Sequence, residues 1–457
     1  MKYKTIENSI NPLDGRYFEK TRALVQYFSE EALMKYRVKI EAEYLIALSE
    51  NKIFRKFLPN EIKIVKNLYE KFDEISYKKI KEIERATNHD VKAVEYFIKN
   101  ELSKTSLKDS IEWVHFALTS DDTNNLAYGL ILSESVANVL MPALKEINKE
   151  LELLAKNHKY LPMLARTHGQ PASPTTFGKE INVFASRLGR GLDHLLGQKI
   201  MVKMSGASGN YNAHAVAFPK IDWVKFSEDF IKDLNKDLTF KLELNSVTTQ
   251  IEPHDSYIEL FDRFKRMNNM LIDLNQDMWR YISDNWITQK VKGGEVGSST
   301  MPHKINPIDF ENSEGNLGLA NALFEFFARK LPISRLQRDL SDSTVERAFG
   351  TAFGHSYVAY TSLLKGLSKI TINEIKIKED LNNHPEVITE AIQTILRREG
   401  VAMPYEKLKE LTRGKQITLA DIHEFIKSLD VNEKIKKELL TITPENYTGL
   451  ASKLASK

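Results

Sequence analysis

Residues 140–154 read LMPALKEINKELELL, and the spacing of their apolar side chains decides the fold class. The apolar positions alternate steps of four and three residues along the chain: Leu140, Leu144, Ile147, Leu151 and Leu154. This spacing puts them on one face of an α-helix that packs lengthwise against other helices. Such a stripe indicates core packing and carries no chemistry by itself.

The same spacing recurs at 181–195 and at 264–278, and further helical stretches are predicted at about 308–330 and 342–371. The sequence therefore predicts an all-α protein with a central bundle of long helices. Shorter helical patterns precede and follow the bundle. We expect an N-terminal helical domain at 1–110, the bundle at 111–365 and a C-terminal helical domain at 366–457.

Composition excludes several classes of protein. The 457 residues include 65 basic and 62 acidic ones, a net charge of +3, which is no electrostatic footprint for nucleic acid. The absence of cysteine excludes disulfides, thiolate metal sites and a cysteine nucleophile. The sequence has no apolar run of about 18 residues and no apolar segment near its start, so we expect no membrane span, no secretory signal and a cytoplasmic location.

A glycine-led loop, Gly297–Pro307 (GSSTMPHKINP), offers several reactive groups. Asn306 is predicted to cap the helix that follows, with Pro307 at its first position, so a mobile loop would be hinged on a rigid helix. An ordinary loop with a cap is the alternative. The groups available for chemistry are Ser298, Ser299, His303 and Lys304.

Other polar clusters lie between the predicted helices. In RTHGQ (166–170), His168 suits proton transfer near neutral pH, although a loop histidine can also be structural or simply exposed. In TNHD (87–90), the histidine is an oriented imidazole or part of a helix cap, with Asn88 or Asp90 as the capping residue. LTSDDTNN (118–125) is interpreted by default as a capping cluster at a helix start.

The segment RLQRDLSDSTVER (335–347) brings Arg338, Ser343 and Arg347 close in sequence. Arginine forks and a hydroxyl suit a phosphate. A solvated, salt-bridged helix face is the alternative. No HExxH and no Walker loop occur, so neither a catalytic metal nor a nucleotide cofactor is indicated.

Together these segments resemble the fumarase/aspartase superfamily of lyases, and within it the branch of bacterial adenylosuccinate lyases. The resemblance covers essentially the whole chain. It departs from the common pattern at Ala117, where many members have glycine. The matching segments are GSSTMPHKINP (297–307), TNHDVKAVEYF (87–97), HFALTSDD (115–122), RTHGQPASPTTFGKE (166–180), TTQIEPHD (248–255), ENSEGNLGL (311–319), RDLSDSTVER (338–347) and PYEKLKELTRGK (404–415).

The resemblance implies a long-helix bundle flanked by two smaller helical domains, and a homotetramer whose active sites collect loops from three subunits. It implies release of fumarate from adenylosuccinate, leaving AMP, and from the analogous succinyl imidazole carboxamide nucleotide. No metal or organic cofactor is implied. A superfamily lyase acting on argininosuccinate and a non-catalytic helical scaffold are the alternatives. His303 argues against the first, and the catalytic set against the second.

The resemblance also implies residue roles. Ser298 would be the general base, His168 the general acid, Glu311 the residue that orients His168, and Lys304 a stabiliser of the carbanion, while His89 would lie near the substrate phosphate or leaving group. Only the resemblance separates Ser298 from Ser299. The implied substrate-binding residues are Arg16, Tyr17, Asn88, His89, Asp90, Thr119, Ser120, Gln250, Ser299, Lys304, Ile305, Asn306, Asn312, Arg338, Ser343, Thr344, Val345, Glu346 and Arg347.

Overall fold

A computed structural model describes residues 8–290, 301, 304–412 and 417–457. The fold is all-α, as predicted. In chain order the α-helices are α1 (Phe18–Phe28), α2 (Glu30–Glu50), α3 (Pro59–Glu70), α4 (Glu74–Thr87), α5 (Asp90–Leu102), α6 (Ser120–Ser135), α7 (Met141–Asn157), α8 (Phe177–Leu196), α9 (Asn212–Ala217), α10 (Trp223–Leu234), α11 (Asp255–Ser283), α12 (Ile308–Lys330), α13 (Ser341–Glu346), α14 (Phe349–Lys369), α15 (Glu374–Asn382), α16 (Thr389–Arg398), α17 (Pro404–Thr412), α18 (Leu419–Ser428), α19 (Glu433–Leu440) and α20 (Ala451–Leu454).

Short strands pair two by two beside these helices. The antiparallel pairs are β1 with β2 and β5 with β6, and β3 pairs with β4 in parallel. The strands are β1 (Pro162–Thr167), β2 (Gln170–Thr176), β3 (Ile200–Val202), β4 (Leu242–Leu244), β5 (Ile287–Gln289) and β6 (Ile370–Ile372). The sequence analysis predicted none of them.

The chain divides into two compact units. The first unit contains residues 1–144, 191–269 and 315–361, and the second contains 145–190, 270–314 and 362–457. The long helices α7, α8, α11, α12 and α14 contribute residues to both. The three-domain division at 110 and 365 stays a prediction.

In the first unit, helices α2 to α5 enclose an apolar core formed by side chains such as Val38, Leu45, Val94 and Ile98. Hydrogen-bonding side chains cap two of these helices. Ser29 accepts from the backbone N–H of Ala32 at the start of α2, and Asp73 accepts from that of Ser76 at the start of α4. The bundle part of this unit is held by stacked and edge-on phenylalanine rings, with 5.1 Å between the centroids of Phe324 and Phe353.

The second unit places β1 and β2 against its C-terminal helices. β1 packs on α15, and β2 packs on α20 and on a turn at Pro385–Ile388. Trp286 stacks on Tyr281 with ring centroids 5.7 Å apart, and its indole N–H donates to Asp380 at 2.7 Å. These contacts anchor the base of the β1–β2 hairpin, whose tip carries a candidate catalytic residue.

The apolar stripes predicted from the sequence are confirmed as core. Leu154 is partly buried, and the other fourteen stripe positions are buried: Leu140, Leu144, Ile147, Leu151, Ile181, Phe184, Leu188, Leu192, Leu195, Phe264, Met267, Leu271, Leu274 and Met278. The stretch Ser120–Asn157 is also long and apolar enough to cross a membrane by length and composition, but 72% of the relevant window is buried inside the protein. This degree of burial is that of a core helix.

Three helix boundaries differ from prediction. The stretch predicted at 342–371 is two helices, α13 and α14, with a break at Arg347 and Ala348. Pro307 does not begin α12 as its first residue but precedes it, and its carbonyl accepts from the N–H groups of Phe310 and Glu311. The cap of α5 is neither Asn88 nor Asp90. It is His89, as described below.

Candidate active site

The start of α5 forms a compact polar corner in the first unit. The His89 imidazole Nδ1 accepts from the backbone N–H of Lys92 at 3.2 Å, which makes this histidine the N-cap. Asn88 ends α4 in the left-handed region, with φ of 51°. Asparagine tolerates this conformation better than most residues. The backbone therefore turns sharply here, and the His89 side chain remains half exposed.

Asp90, the first residue of α5, bridges two guanidinium groups. Its Oδ2 lies 2.8 Å from Arg37 Nη2 and 2.9 Å from Arg347 Nη2, while its Oδ1 accepts from the N–H of Val91 at 2.9 Å. Burial alone would raise the pKa of the Asp90 carboxyl. The charge of Arg37, the Val91 N–H and the charge of Arg347 outweigh that effect and hold the pKa below its ordinary value.

The other end of this bridge lies on the segment Ser343–Arg347. Arg347 Nη1 lies 3.3 Å from the hydroxyl of Ser343, one helical turn earlier. The backbone N–H of Ser343 donates to the Asp342 carboxylate at 2.6 Å. Arg347 is salt-bridged, as the alternative interpretation of the sequence expected. It is also half exposed beside a hydroxyl, as a phosphate ligand would be.

Glu346 turns the opposite way, into the core. Its Oε1 lies 3.2 Å from His254 Nε2, and both side chains are buried. The backbone N–H of His254 donates to Glu252 at 2.6 Å, and His254 adopts a left-handed φ of 68°. Burial lowers the pKa of the imidazole, but hydrogen bonding and charge from Glu346 outweigh it and raise the pKa to about 9.

A cavity of about 190 Å³ opens next to this network. Its lining combines apolar side chains with cations, carboxylates and two tyrosines: Tyr27, Phe28, Ser29, Glu30, Leu33, Met34, Arg37, Glu84, Asp90, Tyr128, Ile131, Glu346, Arg347 and Gly350. The Tyr128 hydroxyl is buried and has no hydrogen-bond partner among the described residues. A second cavity of about 910 Å³ shares Phe28, Ser29, Glu30, Arg347 and Gly350 with the first.

Four further predicted residues lie in the first unit. Arg338 Nη1 is 3.4 Å from Gln250 Oε1, so these two are brought together. Thr119 caps α6 and its N–H donates to Asp122 at 2.8 Å, with Ser120 as the first helical residue. The capping interpretation of that cluster is therefore confirmed. Both residues are partly exposed.

The remaining predicted residues of the first unit are distributed around these elements. Arg16 is exposed, and Tyr17 precedes α1, where its carbonyl accepts from the N–H groups of Lys20 and Thr21. Thr344 is exposed, whereas Val345 is buried. The assignment of Val345 to the substrate site stays a prediction.

His168 occupies the tip of the β1–β2 hairpin in the second unit. Thr167 pairs with Gln170, so His168 and Gly169 form a two-residue turn with φ of 53° and 75°. Two positive φ values are the mark of a type I′ turn, which matches the twist of the strands. The turn exposes Arg166, Thr167 and His168 to solvent.

The second unit also carries the described end of the glycine-led loop. Lys304 and Ile305 are exposed, and the carbonyl of Ile305 accepts from Gln289 at 3.2 Å. Asn306 follows, immediately before Pro307 and α12. Ser298, Ser299 and His303 lie outside the described residues.

Glu311 and Asn312 lie in the first turn of α12. The Glu311 carboxylate accepts from the indole N–H of Trp279 at 3.2 Å, and Asn312 Oδ1 accepts from Ser362 at 2.8 Å. Within the described part of the single chain, Glu311 makes no hydrogen bond to His168. The predicted pairing of these two residues therefore stays a prediction.

No group of three or more His, Cys, Asp or Glu suited to hold a metal ion occurs among the residues that the structure describes. The predicted independence from metals and organic cofactors stays a prediction. The polar corner at Asp90 differs from a metal site, because the half-exposed Arg347 guanidinium and the Ser343 hydroxyl offer hydrogen-bond donors there, beside the carboxylates Glu30, Glu84 and Asp90 of the same cavity.

Comparison with known proteins decides the family. The family described as "Lyase" matches residues 15–321, and that described as "Adenylosuccinate lyase C-terminal" matches residues 334–448. Proteins named adenylosuccinate lyase from Legionella pneumophila and Dictyostelium discoideum are 49% and 52% identical to the chain, over 98% and 97% of it and 98% and 96% of their own lengths. The chain belongs to the adenylosuccinate lyase family.

The Escherichia coli member is 45% identical over 97% of both chains. Solved structures support the fold independently. A fumarate lyase from a Mesorhizobium species has a TM-score of 0.74 at 17% identity over 96% of both chains. A 3-carboxy-cis,cis-muconate lactonizing enzyme from Pseudomonas putida has 0.72 at 16% over 95% of both. At such identities the likeness establishes the fumarase-like fold alone.

Two residues of the network were not among the sequence-predicted candidates. Arg37 lies in α2 within a run of buried residues, where a lone arginine is unusual. His254 lies in the family-like segment TTQIEPHD, of which only Gln250 was singled out. A charged residue at a predicted core position was the available signal for Arg37. Nothing local marked His254 as the partner of Glu346.

Proposed function

We propose that the protein cleaves adenylosuccinate to AMP and fumarate, and the analogous succinyl imidazole carboxamide nucleotide to its carboxamide and fumarate, in purine nucleotide biosynthesis. The observation that carries this proposal is the 45–52% identity, over nearly the whole chain, to proteins named adenylosuccinate lyase. The half-exposed Arg347 guanidinium beside the Ser343 hydroxyl supports it, because a nucleotide substrate brings a phosphate that such donors can bind.

The chemistry asks for two proton transfers. A weakly acidic proton leaves the carbon beside a carboxylate, and the departing nitrogen takes up a proton. We assign the first transfer to Ser298 as general base and the second to His168 as general acid. A neutral serine hydroxyl is a weak base, so it needs activation by neighbouring groups as the substrate binds.

Lys304 is assigned to the carbanion that forms between the two transfers. A fixed cation beside developing negative charge lowers the barrier more than it strengthens ground-state binding. Glu311 is assigned to orient His168. The exposed turn that carries His168 supports a site completed by a second chain, since a group at the tip of a rigid hairpin can project into a neighbour.

We therefore include in the proposal a homotetramer with active sites shared between subunits, located in the cytoplasm. The family resemblance supports this assembly, and sedimentation of the purified protein tests it. We expect the protein to be a tetramer. We also expect activity to be restored when different inactive variants are mixed. A monomer with full activity would contradict shared sites.

Fumarate release tests the activity directly. The purified chain is mixed with adenylosuccinate, with the succinyl imidazole carboxamide nucleotide and with argininosuccinate, and absorbance of fumarate is followed in the ultraviolet. We expect turnover with the two nucleotides and none with argininosuccinate. Turnover of argininosuccinate alone would replace the proposed substrate, and no turnover of any compound would favour a non-catalytic scaffold.

A further inference from the structure

Arg37 lies inside the first unit, behind the surface where Asp90 and Arg347 meet. We infer that Arg37 is a positioning residue for the substrate site, which fixes the Asp90 carboxylate from the core and, through it, Arg347. This inference rests on the proposed function, because that function assigns Asp90 and Arg347 to substrate binding. No motif that resembles the family includes Arg37.

The contacts form a chain from core to surface. Arg37 Nε donates to Asn124 Oδ1 at 2.8 Å, and Arg37 Nη2 lies 2.8 Å from Asp90 Oδ2. The same oxygen lies 2.9 Å from Arg347 Nη2. Side-chain exposure increases along this path, from 1% for Arg37 to 23% for Asp90 and 49% for Arg347. The exposed guanidinium is therefore aligned by a carboxylate that is itself fixed from within.

Stability alone is a poor explanation for a buried arginine. Burying a guanidinium carries a desolvation cost, and replacing a buried ion pair with well-packed apolar groups is often neutral or stabilising. Leu33 and Met34 line the same cavity as Arg37, and Arg37 Nη1 lies 3.5 Å from Met34 Sδ, so a methionine at this position would find apolar partners. The charge is better explained by the orientation that it imposes on Asp90 than by the free energy of folding.

Without Arg37, the orientation of the Asp90 carboxylate would depend on Arg347. With Arg347 as its remaining cation, the carboxylate could rotate with that half-exposed side chain. Arg37 holds Oδ2 in place while the Val91 N–H holds Oδ1. Both oxygens are thus fixed to the protein interior, and Arg347 is left with a small set of orientations. Pre-ordering of this kind strengthens binding because less side-chain entropy is lost when the ligand arrives.

The test compares R37M, which removes the charge at similar volume, with R37K, which keeps the charge and loses the fork. R55M is the matched control. Arg55 also bridges two carboxylates in the first unit, Glu61 at 2.8 Å and Asp109 at 2.7 Å, but it touches none of the proposed binding residues. All variants are purified as the full chain, and KM and kcat are measured with adenylosuccinate.

We expect R37M to raise KM about ten-fold or more, because the Asp90 carboxylate loses the buried charge 2.8 Å from its Oδ2, with kcat changed by less than about three-fold. R37K should fall between R37M and wild type, and R55M should match wild type. Folding is checked by circular dichroism. If R37M does not fold, R37K decides the matter, because a structural role alone would leave the KM of folded R37K unchanged.

A double-mutant cycle with D90N isolates the connection to Asp90. If Arg37 acts through this carboxylate, R37M should raise KM much less in the D90N background than in wild type. Equal fold-changes of KM in both backgrounds would overturn the inference, and so would an unchanged KM in folded R37M. In either case, turnover by the wild-type protein would still uphold the proposed function. Absence of wild-type turnover would overturn the proposed function, and the inference with it.

Discussion

His254 and Glu346 form a buried charge pair directly under the residue proposed to bind phosphate. The imidazole Nε2 lies 3.2 Å from the Glu346 carboxylate, and the two side chains are 1% and 3% exposed. Glu346 is the last residue of α13, and Arg347 follows it. Two adjacent residues are thus fixed by two different cations of the core. His254 contacts Glu346 directly, and Arg37 acts on Arg347 through the Asp90 carboxylate.

This pair predicts a pH-dependent stability. Burial opposes the charge on His254, but Glu346 first, and then Asp121 and Glu252, raise the pKa of His254 from about 6.5 to about 9. The folded state therefore binds more protons than the unfolded state between these values. Its stabilisation is complete below pH 6.5 and is lost as the pH rises through about 9.

The variant H254Q keeps a donor toward Glu346 and removes the titration. We expect the fall in unfolding free energy between pH 6 and pH 9.5 to be smaller in H254Q than in wild type by on the order of 3 kcal/mol. Urea unfolding at both pH values measures it. H194Q, at an exposed histidine of α8, is the control and should keep the wild-type slope. Identical slopes in all three proteins would contradict the assignment.

The proposed base is tested by S298A beside S299A. Removal of a general base reduces turnover by about 100-fold or more and leaves substrate binding largely intact. We therefore expect a large fall in kcat for S298A, a smaller one for S299A, and similar substrate affinity in a single-turnover binding assay. A reversed order would transfer the role to Ser299. Near-wild-type turnover in folded S298A would remove Ser298 as base.

His168 requires a substitution that respects its backbone. Its φ of 53° lies in the left-handed region, where asparagine is several-fold favoured over most residues and branched side chains are strained. H168N should therefore keep the hairpin and lose the general acid. We expect kcat to fall by about 100-fold while substrate binding stays largely intact. Full activity of H168N would exclude the role.

Arg347 is tested by the substrate as well as by mutation. If its half-exposed guanidinium binds the phosphate, R347M should weaken binding of adenylosuccinate by about ten-fold or more and hardly affect the dephosphorylated nucleoside. R335M is the control, because Arg335 is exposed and pairs only loosely with Asp339 at 3.6 Å. Equal losses for nucleotide and nucleoside would assign Arg347 to another part of the substrate.

The bundle was predictable because its signal is local. A helix repeats every 3.6 residues, so the burial of Ile181, Leu188 and Leu274 is written in neighbouring spacings. The hairpin was not predicted, and its strand β2 contains Pro171 and Pro174, a residue type that is rare inside sheets. In a two-stranded ribbon both strands are edges, and proline is tolerated where its missing N–H would face outward. The His168–Gly169 pair was the available turn signal.

The candidate site divides in the same way. Asp90 and Arg347 were named from local motifs, and the structure brings them to 2.9 Å. Arg37 and His254 join that network through contacts more than 50 residues apart in sequence. No periodicity encodes such pairs, because they depend on how α2, α5 and α13 pack. A family resemblance assigns motif residues, but it does not reveal which core residues hold them.

Ala117 has a physical cost that its departure from the family pattern did not reveal. Its φ is 57°, in the left-handed region, where a Cβ costs roughly 1–2 kcal/mol and glycine costs nothing sterically. The greater freedom of glycine in the unfolded chain returns roughly 0.5–1 kcal/mol of that. A117G should therefore raise the free energy of unfolding by about 0.5–1 kcal/mol, measured by urea unfolding. A117V should lower the free energy of unfolding, because a branched side chain is poorer still in this region. Destabilisation by A117G would show that the Cβ of Ala117 contributes packing that outweighs the strain.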